Sequence, residues 1–383
     1  MTQQQATITN AAQAARVWRV ADHLIEQPSW GGRYILDLKG LGEDPAWAGK
    51  KVGQAYELAR TSRLTDPATG ETAALADIVA RDPAAFLGGP VVEAFGPELN
   101  LLIKLTQAKG NSFQVHLPEG KTRGHWKPKP EAWFYLAPGL YTFGLKPETS
   151  FDDYARTLRA VGDAMNRLSQ DVQASRKTVD SARAAIRNVL REHDPYQFVN
   201  VVEANADDVI DLTAGGIHHS WEEDDARFPD GNLVYEVQVD VADPDCSMRG
   251  FDKGKFLDNG GLRPAHVEDY LATLETDAEH NDVARHAGRP RVLSEENGVT
   301  VEALFRTPYF YLDRVTLAPG VTLESSLAGG FHHLFVHQGE ARANDVRLEQ
   351  GRSHLLPAAL GKYRLAPDGD EATALLRTYL PSG

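Results

Sequence analysis

The sequence predicts a mainly β protein of barrel or sandwich type, interrupted by one helical insertion. Three observations carry this prediction. Short runs of strand character, each broken by Gly or Pro turns, recur along most of the chain. Residues 150–193 depart from that style and place apolar side chains at three/four spacing. The length, 383 residues, suits two domains or one large β-rich body with insertions.

Residues 1–15 read as a tail or the start of a helix, and Trp30-Gly31-Gly32 as a turn. Leu101–Thr106 is an apolar run with Lys104 inside it, and Ser112–Leu117 and Ala132–Leu136 read as strands. Pro128 and Pro130 force extended backbone before the last of these. Phe151, Tyr154, Leu158, Val161, Met165, Leu168 and Val172 then form one helical stripe, continued by Val179, Ala182, Ile186 and Val189. Ser150 with Asp153 resembles a capping box. This insertion is expected to cover a barrel end. Val234–Val241 returns to strand, and a short helix is expected around Ala265–Leu274. From Tyr309 onward short strands alternate with turns: Tyr309–Leu317, His332–Val336, Arg347–Leu348, Ser353–Leu356 and Ala372–Tyr379.

Composition narrows the function classes. A formal charge of −14 argues against nucleic acid or an anionic membrane as partner. It leaves room for an anionic small molecule in a locally basic cleft. No run of about 18 apolar residues exists, so no membrane span is expected. The lone cysteine, Cys246, permits no internal disulfide, and the N-terminus carries no secretory pattern. A cytoplasmic location is the expectation.

Three segments carry chemistry. In Ser112-Phe113-Gln114-Val115-His116, strand alternation turns Ser112, Gln114 and His116 to one face. In Lys129-Pro130-Glu131-Ala132-Trp133, Lys129, Glu131 and Trp133 share a face. Each pattern is also what an ordinary exposed strand gives. The third segment runs from Asp208 through glycines to His218 and resembles the Pro-x-Gly-x-x-His turn that closes cupin metal sites, with Thr213 in place of Pro. His219 competes with His218 and should face the other way. One amide oxygen, two imidazoles and one carboxylate suit Zn²⁺ and tolerate Mn²⁺, Fe²⁺ or Co²⁺. Lys104 either snorkels outward or points into a polar cavity. Arg60, Ser62 and Arg63 form a second basic, hydroxyl-rich cluster.

From about residue 17 onward the chain resembles the type I phosphomannose isomerases. Leu102-Ile103-Lys104-Leu105 leading to Ser112-Phe113-Gln114-Val115-His116 is similar to that family's strand pair, and Lys129-Pro130-Glu131 to its Lys-Pro-Glu segment. Ala214-Gly215-Gly216-Ile217-His218 resembles its glycine turn, Tyr235-Glu236-Val237-Gln238 its Glu-Ile-Gln strand, and Arg249 its following arginine. Trp30-Gly31-Gly32 and the Glu57-Leu58 region look like its N-terminal elements. The chain departs at Leu117, where the family has Pro, in a longer stretch from Gln238 to Arg249, and in a long insertion.

The resemblance implies two cupin (jelly-roll-like) barrels, one of them catalytic, and a helical part. On this reading residues 1–149 and 196–260 form the metal-binding cupin and 150–195 the helical insertion. Residues 261–300 connect it to a second, metal-free cupin at 301–383. It implies one Zn²⁺ on Gln114, His116, Glu131 and His218 and catalytic roles for Lys129 and Arg249; Ser112 and Lys104 are expected to contact the substrate. The expected reaction interconverts mannose 6-phosphate and fructose 6-phosphate through an enediol. Alternatives are an isomerase of another sugar or sugar phosphate, a non-catalytic sugar-binding cupin, and an iron oxygenase. Lys129 is expected to serve catalysis and not folding.

Overall fold

The structure is a computed structural model that describes residues 15–214, 218–241 and 244–382, apart from the side chain of His219. The tail at 1–14, the glycine turn at 215–217 and the orientation of His219 lie outside the described residues. The fold is mainly β, as expected, and every strand pair in the sheets is antiparallel.

Four layers stack in sequence. An outer layer of a three-stranded and a two-stranded sheet faces a seven-stranded sheet; that sheet backs onto a nine-stranded one, which packs on a four-stranded one. Strand alternation explains the layering. In Asn232–Gln238, Tyr235 and Val237 enter the core shared with the nine-stranded sheet, beside Phe335 and Leu376. Val234 points the opposite way, into an aromatic core with Trp133, Tyr135, Tyr141, Phe143 and Trp221. Glu236 shares that second face.

The N-terminal stretch serves two sheets. Trp18–Val20, Arg63–Thr65 and Thr72–Ala74 add to the nine-stranded sheet beside Ser353–Leu356, while Leu24–Glu26 and Val52–Leu58 edge the seven-stranded one. Gly and Pro punctuation does not reveal this pairing, because it joins residues hundreds apart in sequence.

The insertion forms two helices, Phe151–Gln173 and Val179–His193. Ser150 and Thr178 cap them by accepting the amides of Asp153 and Ser181. Tyr154, Leu158, Val161 and Met165 bury their stripe against Phe113, Val115, Met248, Phe251 and Tyr270. The helix expected near 265–274 spans Val267–Thr273. Short helices at Leu75–Arg81, Pro83–Leu87 and Gly89–Phe95 were not expected; each is too short to display a helical period. Among the described residues, no helix is long and apolar enough to cross a membrane.

Candidate metal centre and its cavity

The site sits on the face of the seven-stranded sheet that looks toward the outer layer. Glu131 opens the strand Glu131–Tyr135, and its alternation with Ala132 sends the carboxylate to the site and the methyl group to the shared core. Lys104 and Glu236 lie opposite one another on neighbouring strands. Gln114 lies opposite Arg249 in the two-stranded pair across the cavity. Gly250, next to Arg249, lets that strand lie close against the helix Val267–Thr273, since a Cβ there would fall 2.6 Å from the Tyr270 ring.

His116, Glu131 and His218 converge: one ligand atom of each lies within 4.8 Å of the others. Glu131 Oε1 is 2.9 Å from His218 Nε2 and 3.4 Å from His116 Nε2. All three are buried. His116 Nδ1 lies 2.6 Å from the carbonyl of Cys246. A carbonyl only accepts, so the proton sits on Nδ1 and the Nε2 lone pair is left facing the cavity. Burial, and then the Lys129 ammonium, push the His116 pKa down to about 4, so this imidazole is neutral. Burial pushes Glu131 up, but Lys129 and the two histidines outweigh it and hold its carboxyl well below the usual range.

Both Glu131 oxygens and His218 Nε2 are buried without a well-formed hydrogen bond, despite their proximity. Lone pairs aimed at one point repel one another, and a divalent cation there would satisfy them all. Two imidazoles and a carboxylate therefore fit a Zn²⁺-type ion. Gln114 lines the same cavity, where its amide oxygen accepts from Ser112 Oγ at 3.4 Å.

Lys129 Nζ is 2.7 Å from Glu131 Oε2, 3.2 Å from His116 Nε2 and 3.5 Å from Glu236 Oε1. It is buried, so the expectation that it matters only for catalysis is revised: its removal strands the buried Glu131 carboxylate. Lys104 does not snorkel outward; its ammonium is buried 2.9 Å from Glu236 Oε1. Arg249 and Ser112 also line the cavity, whose volume is about 260 Å³. Arg60, Ser62 and Arg63 do not: Arg60 pairs with Glu98, Arg63 donates to Thr72, and the Ser62 hydroxyl accepts the Ala59 amide.

The sequence assigns no role to three side chains that the structure places at the site. Glu236 accepts from Lys104, Lys129 and Thr106, and its signal was a carboxylate inside the buried run Val234–Val237. Trp133 packs edge-on against His218 with ring centres 5.1 Å apart and tilts onto Trp221. Arg263 reaches the cavity from a loop with no patterned signal.

No protein-family model matches the sequence, and no curated protein matches it. Solved structures do. A mannose 6-phosphate isomerase from Bacillus subtilis superposes with a TM-score of 0.66 at 16% identity, over 95% of this chain and 100% of its own. A zinc-bound mannose 6-phosphate isomerase gives 0.64 at 20% identity, over 95% and 99%. A phosphomannose isomerase variant from Salmonella typhimurium gives 0.63 at 19%, over 95% and 99%. The residue-level resemblance and the three-dimensional likeness thus point to one group of proteins, and the chain has the fold of the mannose-6-phosphate isomerases.

Proposed function

We propose that this chain is a metal-dependent aldose–ketose isomerase that interconverts mannose 6-phosphate and fructose 6-phosphate. The observation that carries the proposal is the convergence of His116, Glu131 and His218 in a cavity that also holds Lys129. Gln114 completes the ligand set, and one Zn²⁺ per chain is the ion proposed. The unit proposed for the chemistry, residues 1–149 with 196–260, contains all eight site residues read from the sequence, and it lends three strands to the neighbouring sheet.

The reaction moves a proton between C1 and C2, so it needs a proton acceptor and a means of stabilising the enediolate. A bound divalent ion would supply Lewis acidity toward the sugar oxygens. Glu236 is a carboxylate on the cavity wall that can accept the carbon-bound proton and return it to the neighbouring carbon. Lys129 can donate to the oxygen on which negative charge develops. Trp133 and Trp221 exclude water from that end of the cavity. Four basic side chains line the cavity, Lys104, Lys129, Arg249 and Arg263, against two carboxylates, Glu131 and Glu236. That excess favours an anionic substrate over a neutral sugar.

The test is an isomerase assay on a panel of sugars and sugar phosphates, with and without chelator. Mannose 6-phosphate should be the preferred substrate, with activity lost to chelator and restored by Zn²⁺. Failure to isomerise any member of the panel would refute the proposal.

A further inference from the structure

A second cleft, of about 630 Å³, runs between the helix Phe151–Gln173 and the segment 250–268. Arg263 lines both this cleft and the metal cavity, so it stands where the two meet. Its guanidinium is clamped by Asp252: Nε donates to Oδ2 at 2.8 Å and Nη2 to Oδ1. The clamp fixes the planar fork and leaves Nη1 with no hydrogen-bond partner among the described residues. Arg159 is clamped in the same way by Glu268 but lines only the outer cleft and not the metal cavity. Lys104 and Lys129 are held in ion pairs with Glu236 and Glu131.

The loop that carries Arg263 is tied to the helical insertion. Ser169 Oγ donates to the Gly260 carbonyl at 2.7 Å. Gly260 has φ +77°, and a Cβ there would fall 2.2 Å from Val172 Cγ1, so the loop lies directly on the helix and only glycine fits. Leu262 packs into the helical cluster, and Pro264 holds Arg263 in extended backbone. Helix, loop and guanidinium are thus one rigid train leading to the cavity mouth.

We propose that Arg263 is the specificity-determining contact for the anionic end of the substrate, and that the helical insertion positions it. This rests on the isomerase reading above and adds to it the residue that selects the phosphorylated sugar. The remaining Nη1 amino group at the mouth would donate to the phosphate, with the guanidinium charge beside it, while the ligand cluster holds the carbonyl end.

The test compares the wild-type holoenzyme with Arg263→Ala, Arg263→Lys and Ser169→Ala, using mannose 6-phosphate and mannose as substrates and calorimetric binding of inorganic phosphate. For Arg263→Ala, kcat/KM on mannose 6-phosphate should fall about 10- to 100-fold, carried by KM, and its preference over mannose should fall in step. Phosphate binding should weaken in parallel, Arg263→Lys should recover part of both, and Ser169→Ala should shift KM slightly with kcat held. An unchanged preference together with unchanged phosphate binding would overturn the proposal, as would wild-type protein that binds no phosphate. If the wild type isomerises neither sugar, the isomerase reading fails alone, and phosphate binding weakened by Arg263→Ala still upholds the subsite. Should Arg263→Ala unfold, the comparison of wild type with Arg263→Lys decides by the same ratio.

Discussion

One strand separates two buried histidine environments, and their difference explains what makes a ligand. On one face of Asn232–Gln238, Glu236 borders the cluster of His116 and His218; on the other, Tyr235 meets His333. His116 and His333 are anchored alike, each by a backbone carbonyl: Cys246 at 2.6 Å and Glu57 at 3.2 Å. They differ in what the second nitrogen faces. For His333 it is the Tyr235 hydroxyl at 3.3 Å, a neutral partner that completes a hydrogen-bond chain. For His116 it is Glu131 and Lys129, with His218 beyond. His332 is likewise satisfied by the Tyr363 hydroxyl at 2.9 Å. Burial and histidine content are similar in the two regions; only the first brings a carboxylate to the imidazoles. Among the described residues it is the one convergent group of this kind.

Glu131 carries most of the difference between the two regions. Glu131→Ala should abolish metal retention and lower turnover by roughly 10³-fold or more, because the ion loses its one charged ligand. Elemental analysis after dialysis, beside the isomerase assay, checks this. In the same measurement the wild type should hold one ion per chain, and His333→Asn should hold as much as wild type. Two ions per wild-type chain would erase the distinction drawn between the two regions.

Lys129→Ala should come next. A fall in turnover of about 10²- to 10⁴-fold is expected for an electrostatic or acid–base group. The metal-free protein should also melt earlier, because buried Glu131 loses its nearest cation and buried Glu236 one of its two. Calorimetry of chelated protein separates this from catalysis. Turnover near that of wild type would remove Lys129 from the mechanism.

Much of this site was legible in the chain because local rules govern it. Gln114 and His116 share a face by strand alternation, and so do Lys129 and Glu131. Lys104 was legible as an anomaly, a charge inside an apolar run, but its direction depended on Glu236 across the ladder. That pairing joins residues 104 and 236, and no local pattern announces it. Arg263 was invisible for the same reason: its place comes from a loop lying on a helix about 90 residues earlier, through Ser169 and Gly260. The strands were readable from period-2 patterns and turn residues. The split of residues 18–74 between two sheets was not, since it is fixed by which distant edge each strand completes.

The second region responds to pH through its buried imidazoles. Burial drives the pKa of His332, His333 and His354 down to about 3, from an ordinary value of 6.5. Between those values the unfolded chain binds more protons than the folded one, so stability rises with pH. Stability is full above about pH 6.5 and is lost progressively as the pH falls toward 3. Between pH 7 and 5, Tm should drop by about 5–10 °C. His354→Asn should flatten the slope, since the His354 Nδ1 is buried without a hydrogen bond and gains nothing by staying. A Tm independent of pH across that range would contradict the burial of these rings.

The smallest effect belongs to Cys246, and it tests whether the first region depends on side chain or backbone. Thiolate is a strong ligand for Zn²⁺, so a buried cysteine whose carbonyl touches His116 invites assignment as a ligand. The structure gives it another part: the contact to His116 is made by its carbonyl, and its sulfur lies 3.9 Å from the Val241 carbonyl. Substitution keeps the carbonyl. Cys246→Ala should therefore leave metal content at wild-type level and change kcat by less than about twofold, with a stability loss of about 1 kcal/mol for the small buried volume removed. A thiol reagent should react slowly with the native protein, because the sulfur is buried. If Cys246→Ala instead lost its metal, the thiol would be a ligand, and His116 would no longer owe its orientation to the backbone that holds it.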